Sequence, residues 1–159
     1  MTKASVTETR RVRYEEDLYA WTQEQAALLR ARQYDALDLE NLAEEIVAVG
    51  GRDRRKLESR LCVILLHLLK WQAQPALRGA SWRKTLRTQR REIRKLLKQS
   101  PSLRRDVSEL IRDAYVDAVK DAIDETGLPQ DRFPAHCPYT PDHVLAEEYL
   151  PDADLGASD

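Results

Sequence analysis

Glycine is scarce in this chain of 159 residues. Five occur, which leaves little material for the tight turns of β-hairpins and points towards helices. Cysteine is scarcer still: Cys62 and Cys137 cannot build a disulfide framework, and Cys62 lies in an apolar run where a small buried thiol is expected. With one Phe, three Trp and six Tyr, the core must come from aliphatic side chains. The longest apolar run, 61–69, contains His67 and is less than half of the ~20 residues that span a membrane. Residues 1–13 hold no apolar stretch, so no secretory signal is expected. These absences leave a soluble, cytoplasmic, all-α chain with no membrane partner as the expectation, and the length suits one domain.

What the chain does have is charge sorted into blocks. Residues 50–105 carry 17 Lys or Arg against 3 Asp or Glu, a net of +14. Residues 14–49 carry a net of −7, and residues 106–159 a net of −11. The whole sums to −1, so the blocks either neutralise one another within the fold or are offered to partners.

Periodicity predicts five main helices and a short sixth. Tyr14, Leu18, Trp21, Leu28 and Leu29 recur at helical steps over 14–32. Asp38 reads as the N-cap of a second helix, with Leu37 and Leu42 as a hydrophobic staple and Gly50-Gly51 as its stop. A third helix, 52–71, is apolar on nearly every side from Leu61 to Leu69, which makes it the central helix wrapped by the others. Ser81 suits the cap of a fourth helix, reaching Gln99. Ser100 and Pro101 suit the cap and first position of a fifth, reaching Thr126 before Gly127 and Pro129. Five of the seven prolines follow Gly127, so 129–140 reads as an extended strap anchored by Phe133 and Tyr139, and Thr140-Pro141 opens a short last helix towards Tyr149. The expected organisation is a compact bundle over 14–150, between a loose segment 1–13 and an acidic tail 151–159.

Several ordered motifs then carry a family resemblance. They include Asp17-Leu18-Tyr19-Ala20-Trp21-Thr22, the run Leu37 to Ile46, and His67-Leu68-Leu69-Lys70-Trp71-Gln72. Ser81-Trp82-Arg83, Gln89-Arg90-Arg91-Glu92-Ile93, Ser100-Pro101-Ser102-Leu103, Glu125-Thr126-Gly127-Leu128-Pro129, Phe133-Pro134 and Cys137-Pro138-Tyr139-Thr140 follow in order. Over 14–152 the chain resembles a bacterial family catalogued as a domain of unknown function, number twenty-nine. The resemblance implies an all-helical fold and brings no reaction, cofactor or binding residue. Members often have an aromatic between two glutamines where this chain has Ala73.

The sharpest local pattern is the fourth helix. Arg83, Lys84, Arg87, Arg90, Arg91, Arg94, Lys95 and Lys98 fall within an arc of roughly 140°, opposite Trp82, Leu86, Ile93, Leu96 and Leu97. Closely spaced cations can displace counterions from a nucleic-acid backbone, so Arg83, Arg87, Arg90, Arg91 and Arg94 are the candidate polyanion contacts. The competing expectation is internal pairing. Asp106, Glu109, Asp113, Asp117, Asp121 and Asp124 gather within about 120° on the fifth helix, and the short connection at Ser100-Pro101 lets the two stripes meet. A pI of about 6.3 also favours pairing over nucleic acid.

Glu44 and Glu45 lie about 100° apart on a helix and suggest ion pairing rather than acid–base chemistry. His67, alone in the apolar centre, reads as a neutral imidazole held by one hydrogen bond, with a buried proton acceptor or ligand as the alternative. His136, Cys137 and His143 lack metal-site spacing, and no phosphate loop or nucleophile elbow occurs, so no metal, cofactor or catalytic residue is nominated. The preferred function is a non-enzymatic helical interaction module that meets a protein partner or itself. The alternatives are polyanion binding through 83–98 and a small metal- or ligand-dependent enzyme.

Overall fold

Asp17 starts the first helix. Its side chain accepts a hydrogen bond from the Ala20 amide at 2.9 Å, relieving one of the free N–H groups at the N-terminus of α1, Leu18–Arg30. The computed structural model describes residues 13–152. The loose segment expected over 1–13 and the acidic tail expected over 151–159 lie almost wholly outside them. Four further helices follow: α2, Leu39–Ala73; α3, Ala80–Gln99; α4, Val107–Thr126; and the short α5, Pro141–Leu145. Single 3₁₀ turns punctuate the connections, and among the described residues there is no strand. None of these helices is long and apolar enough to cross a membrane.

The expectation of a break at Gly50-Gly51 is corrected. The second and third expected helices are one helix of 35 residues, so four long helices and one short one replace five and one. Two glycines cost a helix interior about 1 kcal/mol each relative to alanine. Neither glycine takes a positive φ. The helix therefore runs on. Gly127 is different: at φ +68° it ends α4 in the left-handed conformation, as its place before Leu128-Pro129 predicted.

Two compact units divide between Val49 and Gly50, and α2 contributes to both. In the first, side chains of α1 bond to Asp38, the cap of α2. Trp21 is the one buried apolar side chain among that unit's described residues, with an indole N–H donating to the Asp38 carboxylate at 3.2 Å. Gln25, also buried, accepts from the Asp38 amide at 2.9 Å, and the Tyr14 hydroxyl donates to Glu45 at 2.7 Å. Asp38 itself caps α2 through the Asn41 amide, as expected from sequence.

In the second unit the apolar stretch of α2 is the core. Leu57, Leu61, Ile64, Leu65, Leu68 and Leu69 have no exposed surface and cluster with Leu86 and Ile93 of α3 and with Leu110, Ala114 and Ala118 of α4. The C-terminal strap closes this cluster. Phe133 and Tyr139 are buried as anchors, the Tyr139 hydroxyl donates to Gln72, and the Tyr115 hydroxyl donates to the Pro134 carbonyl at 2.7 Å. Thr140 caps α5 through the His143 amide. Several boundaries differ from the sequence reading: α1 spans Leu18–Arg30 within the expected 14–32, and α5 ends at Leu145, short of Tyr149. Gly79, not Ser81, precedes α3, and the Ser100 hydroxyl bonds Asp53 rather than capping, so 101–105 forms a 3₁₀ turn ahead of α4.

Candidate functional site

The basic stripe of α3 divides in two. Arg83, Lys84, Arg87, Arg91, Arg94, Lys95 and Lys98 are exposed, whereas Arg90 is 1% exposed. Arg90 sits at the edge of the apolar face, and its guanidinium turns towards the C-terminal segment. Nε donates to the Val144 carbonyl at 2.9 Å, Nη1 to that of Glu147 at 3.0 Å, and Nη2 to that of His143 at 3.3 Å. These carbonyls lie at the end of α5, where free backbone oxygens and the negative end of the dipole suit a cation. Burial lowers the Arg90 pKa to about 10, with Glu148 opposing that shift, so the group stays charged at neutral pH. The sequence candidate Arg90 is thus a structural clasp facing away from any external anion.

The other candidates remain at the surface. Arg83 stacks 5.2 Å from the centroid of Trp71, a ring that Arg78 also covers at 5.5 Å. Arg94 pairs with Glu147 at 2.9 Å, and Arg91 lies 3.5 Å from Glu92, which Lys95 also reaches at 2.9 Å. Arg87, Lys84 and Lys98 have no ion pair among the described residues.

The expected seam between the basic stripe of α3 and the acidic stripe of α4 does not form. The carboxylates of α4 turn to α2 instead: Arg54 lies 3.9 Å from Asp106 and 3.4 Å from Glu109, and Lys70 lies 2.6 Å from Glu125. The reason is geometric. On each helix the charged arc lies opposite the apolar face, and the apolar faces are what pack together, so the two stripes point away from each other. A further cationic face on α2 adjoins α3. Arg52, Arg55, Lys56 and Arg60 line an open groove of about 470 Å³ with Ser59, Val63 and Gln89, and Arg60 donates to Gln89 at 3.0 Å. The signal for this face, the i, i+3, i+4 spacing of 52, 55, 56 and 60, was present in the sequence beside the stronger run on α3.

The same helix carries an unpartnered apolar stripe in its first three turns, from Leu39 to Gly50. Leu39 is 66% exposed, Ile46 71% and Val47 75%, and Ala43 and Gly50 are exposed with them. On a helical projection these five positions occupy an arc of about 100°, and none is charged. Among the described residues, eight of the ten exposed large apolar side chains lie between Leu18 and Val49, where Trp21 alone of the apolar residues is buried.

Residues 13–150 match the family model described as Domain of unknown function DUF29. The chain belongs to that family. No curated protein matches it, and no solved structure does.

In this DUF29 chain the remaining polar candidates stand apart from one another. His67 is half-buried on α2 with Nδ1 2.8 Å from the Val63 carbonyl, so that nitrogen carries the proton and donates one turn back. Burial lowers its pKa, favouring the neutral imidazole, with the Val63 bond opposing. Lys70, one turn on, lies 4.9 Å from the Trp82 centroid while it pairs with Glu125. Cys62 is pushed up to about 11, first by burial and then by Asp121, which disfavours its thiolate. Glu45 is engaged by Tyr14. Among the described residues, no three of His, Cys, Asp and Glu are grouped to hold a metal ion.

Proposed function

We propose that this chain is a helical protein-interaction module whose docking surface is the apolar stripe of α2 between Leu39 and Gly50. The observation that carries this reading is the exposure of Leu39, Ile46 and Val47 along one arc of a regular helix. Soluble monomers rarely leave such patches uncovered, because covering apolar surface is favourable by roughly 25 cal/mol per Å². The 4-3-4 spacing of positions 39, 43, 46 and 50 is that of a helix–helix seam, so the matching partner is another helix. The test is Ile46→Glu, a charge placed in the middle of the stripe. Hydrodynamic mass and capture of the bound partner should both change while helicity is retained. Unchanged association would refute the reading.

A second reading, polyanion binding, is favoured by one observation: Arg54 and Lys70 of α2 engage carboxylates of α4, leaving the α3 stripe outward. The faces around Arg52, Arg55, Arg87 and Arg91 would then follow a phosphate backbone without reading bases. Fluorescence anisotropy with duplex DNA and duplex RNA tests it. Log affinity should fall with log salt by about 0.9 for each phosphate neutralised, and paired reversals such as Arg87→Glu with Arg91→Glu should abolish it. No binding at low salt would end it.

A further inference from the structure

The stripe on α2 is self-complementary, and that identifies its partner. Its seam positions alternate in size: Leu39, Ala43, Ile46, Gly50. All four are exposed, and a side chain added at Gly50 would meet nothing within 4 Å. Two identical helices can share such a seam in parallel or antiparallel order. In the parallel order Leu39 meets Leu39 and Gly50 meets Gly50, so wide and empty layers alternate and packing is lost. In the antiparallel order each large residue faces a small one.

Resting on the interaction reading above, we infer that the partner is a second copy of this chain, its α2 stripe paired antiparallel about a two-fold axis passing between Glu44 and Glu45. Leu39 then faces Gly50, and Ala43 faces Ile46, twice each by symmetry. An isologous two-fold contact needs such a surface that fits itself. Charge does not oppose it. Glu44 and Glu45 project about 130° from the centre of the seam, on either side, so the two copies do not bring these carboxylates together in the buried layer. Glu45 is also turned towards Tyr14 of its own unit.

Sedimentation equilibrium of the full chain tests the register. Wild type should be dimeric and Ile46→Glu monomeric. Ala43→Leu sets a large residue against Ile46 and should weaken association at least about tenfold. Ala43→Leu with Ile46→Ala exchanges the two sizes and should restore affinity to within a few-fold of wild type, because the pair couples across the axis. As a measure independent of packing, Ala43→Cys and Ile46→Cys variants lacking Cys62 and Cys137 should cross-link on mixing, and neither alone. A monomeric wild type overturns the self-association and leaves the docking reading to the partner-capture test above, and a dimer indifferent to Ile46→Glu shows that this stripe is not the contact between the copies. An Ile46→Glu monomer without rescue in the double variant, or cross-linking of Ala43→Cys with itself, overturns only the antiparallel register.

Discussion

Replacing Arg90 tests the most buried charge among the described residues. Arg90→Ala removes three hydrogen bonds from a charged donor to the carbonyls of His143, Val144 and Glu147. Bonds of that kind contribute about 1.5–3 kcal/mol each when the partner is left buried and unpaired. Part of the sum is offset, because removing the guanidinium also removes the cost of burying it, and carbonyls at the end of α5 can recover water as the segment loosens. The net expectation is a loss of about 3 kcal/mol in urea unfolding, a drop of roughly 10 °C in Tm for a chain of this size.

Two comparisons separate the bonds from the volume. Arg90→Met keeps the apolar stem and should still lose about 2 kcal/mol, whereas Arg94→Ala, whose partner Glu147 is half-exposed like itself, should change stability by less than about 0.5 kcal/mol. The loss should also be local. Amide exchange should quicken first over 139–150, the segment the guanidinium holds. If Arg90→Ala lies within about 0.5 kcal/mol of wild type, or if Arg94→Ala is equally damaging, the clasp is refuted and Arg90 returns to the surface stripe.

Three further outcomes follow from the geometry. Because burial lowers the His67 pKa below its unfolded value of 6.5, the folded state resists protonation: its contribution is complete above 6.5 and is lost as pH falls through the folded pKa, so stability should fall from pH 7 to 5 more in wild type than in His67→Gln, and an NMR titration of the ring should have its midpoint below 6.5. Gly51→Ala should stabilise α2 by about 0.5–1 kcal/mol in thermal melts, since the added carbon meets only the movable guanidinium of Arg55 at 3.1 Å; a loss of helicity would show that 39–73 is not one helix. Trp21→Ala should cost the first unit about 3 kcal/mol and erase amide protection over 18–30 while protection over 57–69 persists, and joint loss of both would show that the two units unfold as one.

The helices were legible because their apolar positions repeat at three and four and their ends carry punctuation that acts locally: Asp38, Gly127, Thr140-Pro141. The strap was legible for the same reason, since Phe133 and Tyr139 were its only aromatic anchors between prolines. Gly50-Gly51 misled because a glycine pair is only a weak penalty, and a helix with strong flanks absorbs it. Arg90 misled for a different reason. Its spacing is that of a surface cation, and what buries it is a segment more than fifty residues away, which no local pattern encodes. Leu39, Ala43, Ile46 and Val47 recur at helical spacing, but spacing alone does not say whether a face is covered. Its exposure is a property of the folded chain.

The near-zero net charge bears on less than it suggests. At physiological ionic strength the field of a charge decays over about 8 Å, while α3 alone, with 20 residues, is about 30 Å long. A ligand at the outward face of α3 therefore responds to the cations beneath it and to the carboxylates within a turn or two of them, chiefly Glu92 and Glu147. The carboxylates of α4 that balance the total are spent on Arg54 and Lys70 or face elsewhere. Overall neutrality limits long-range steering and sets solubility; it does not silence a local patch. The charge blocks therefore do different work in different places. Between α2 and α4 they pair and help hold register, at Arg90 a cation is withdrawn to bind backbone, and the remainder of the α3 stripe, with the neighbouring face of α2, stays at the surface. A single charge total cannot separate these three uses, whereas the positions of the carboxylates can.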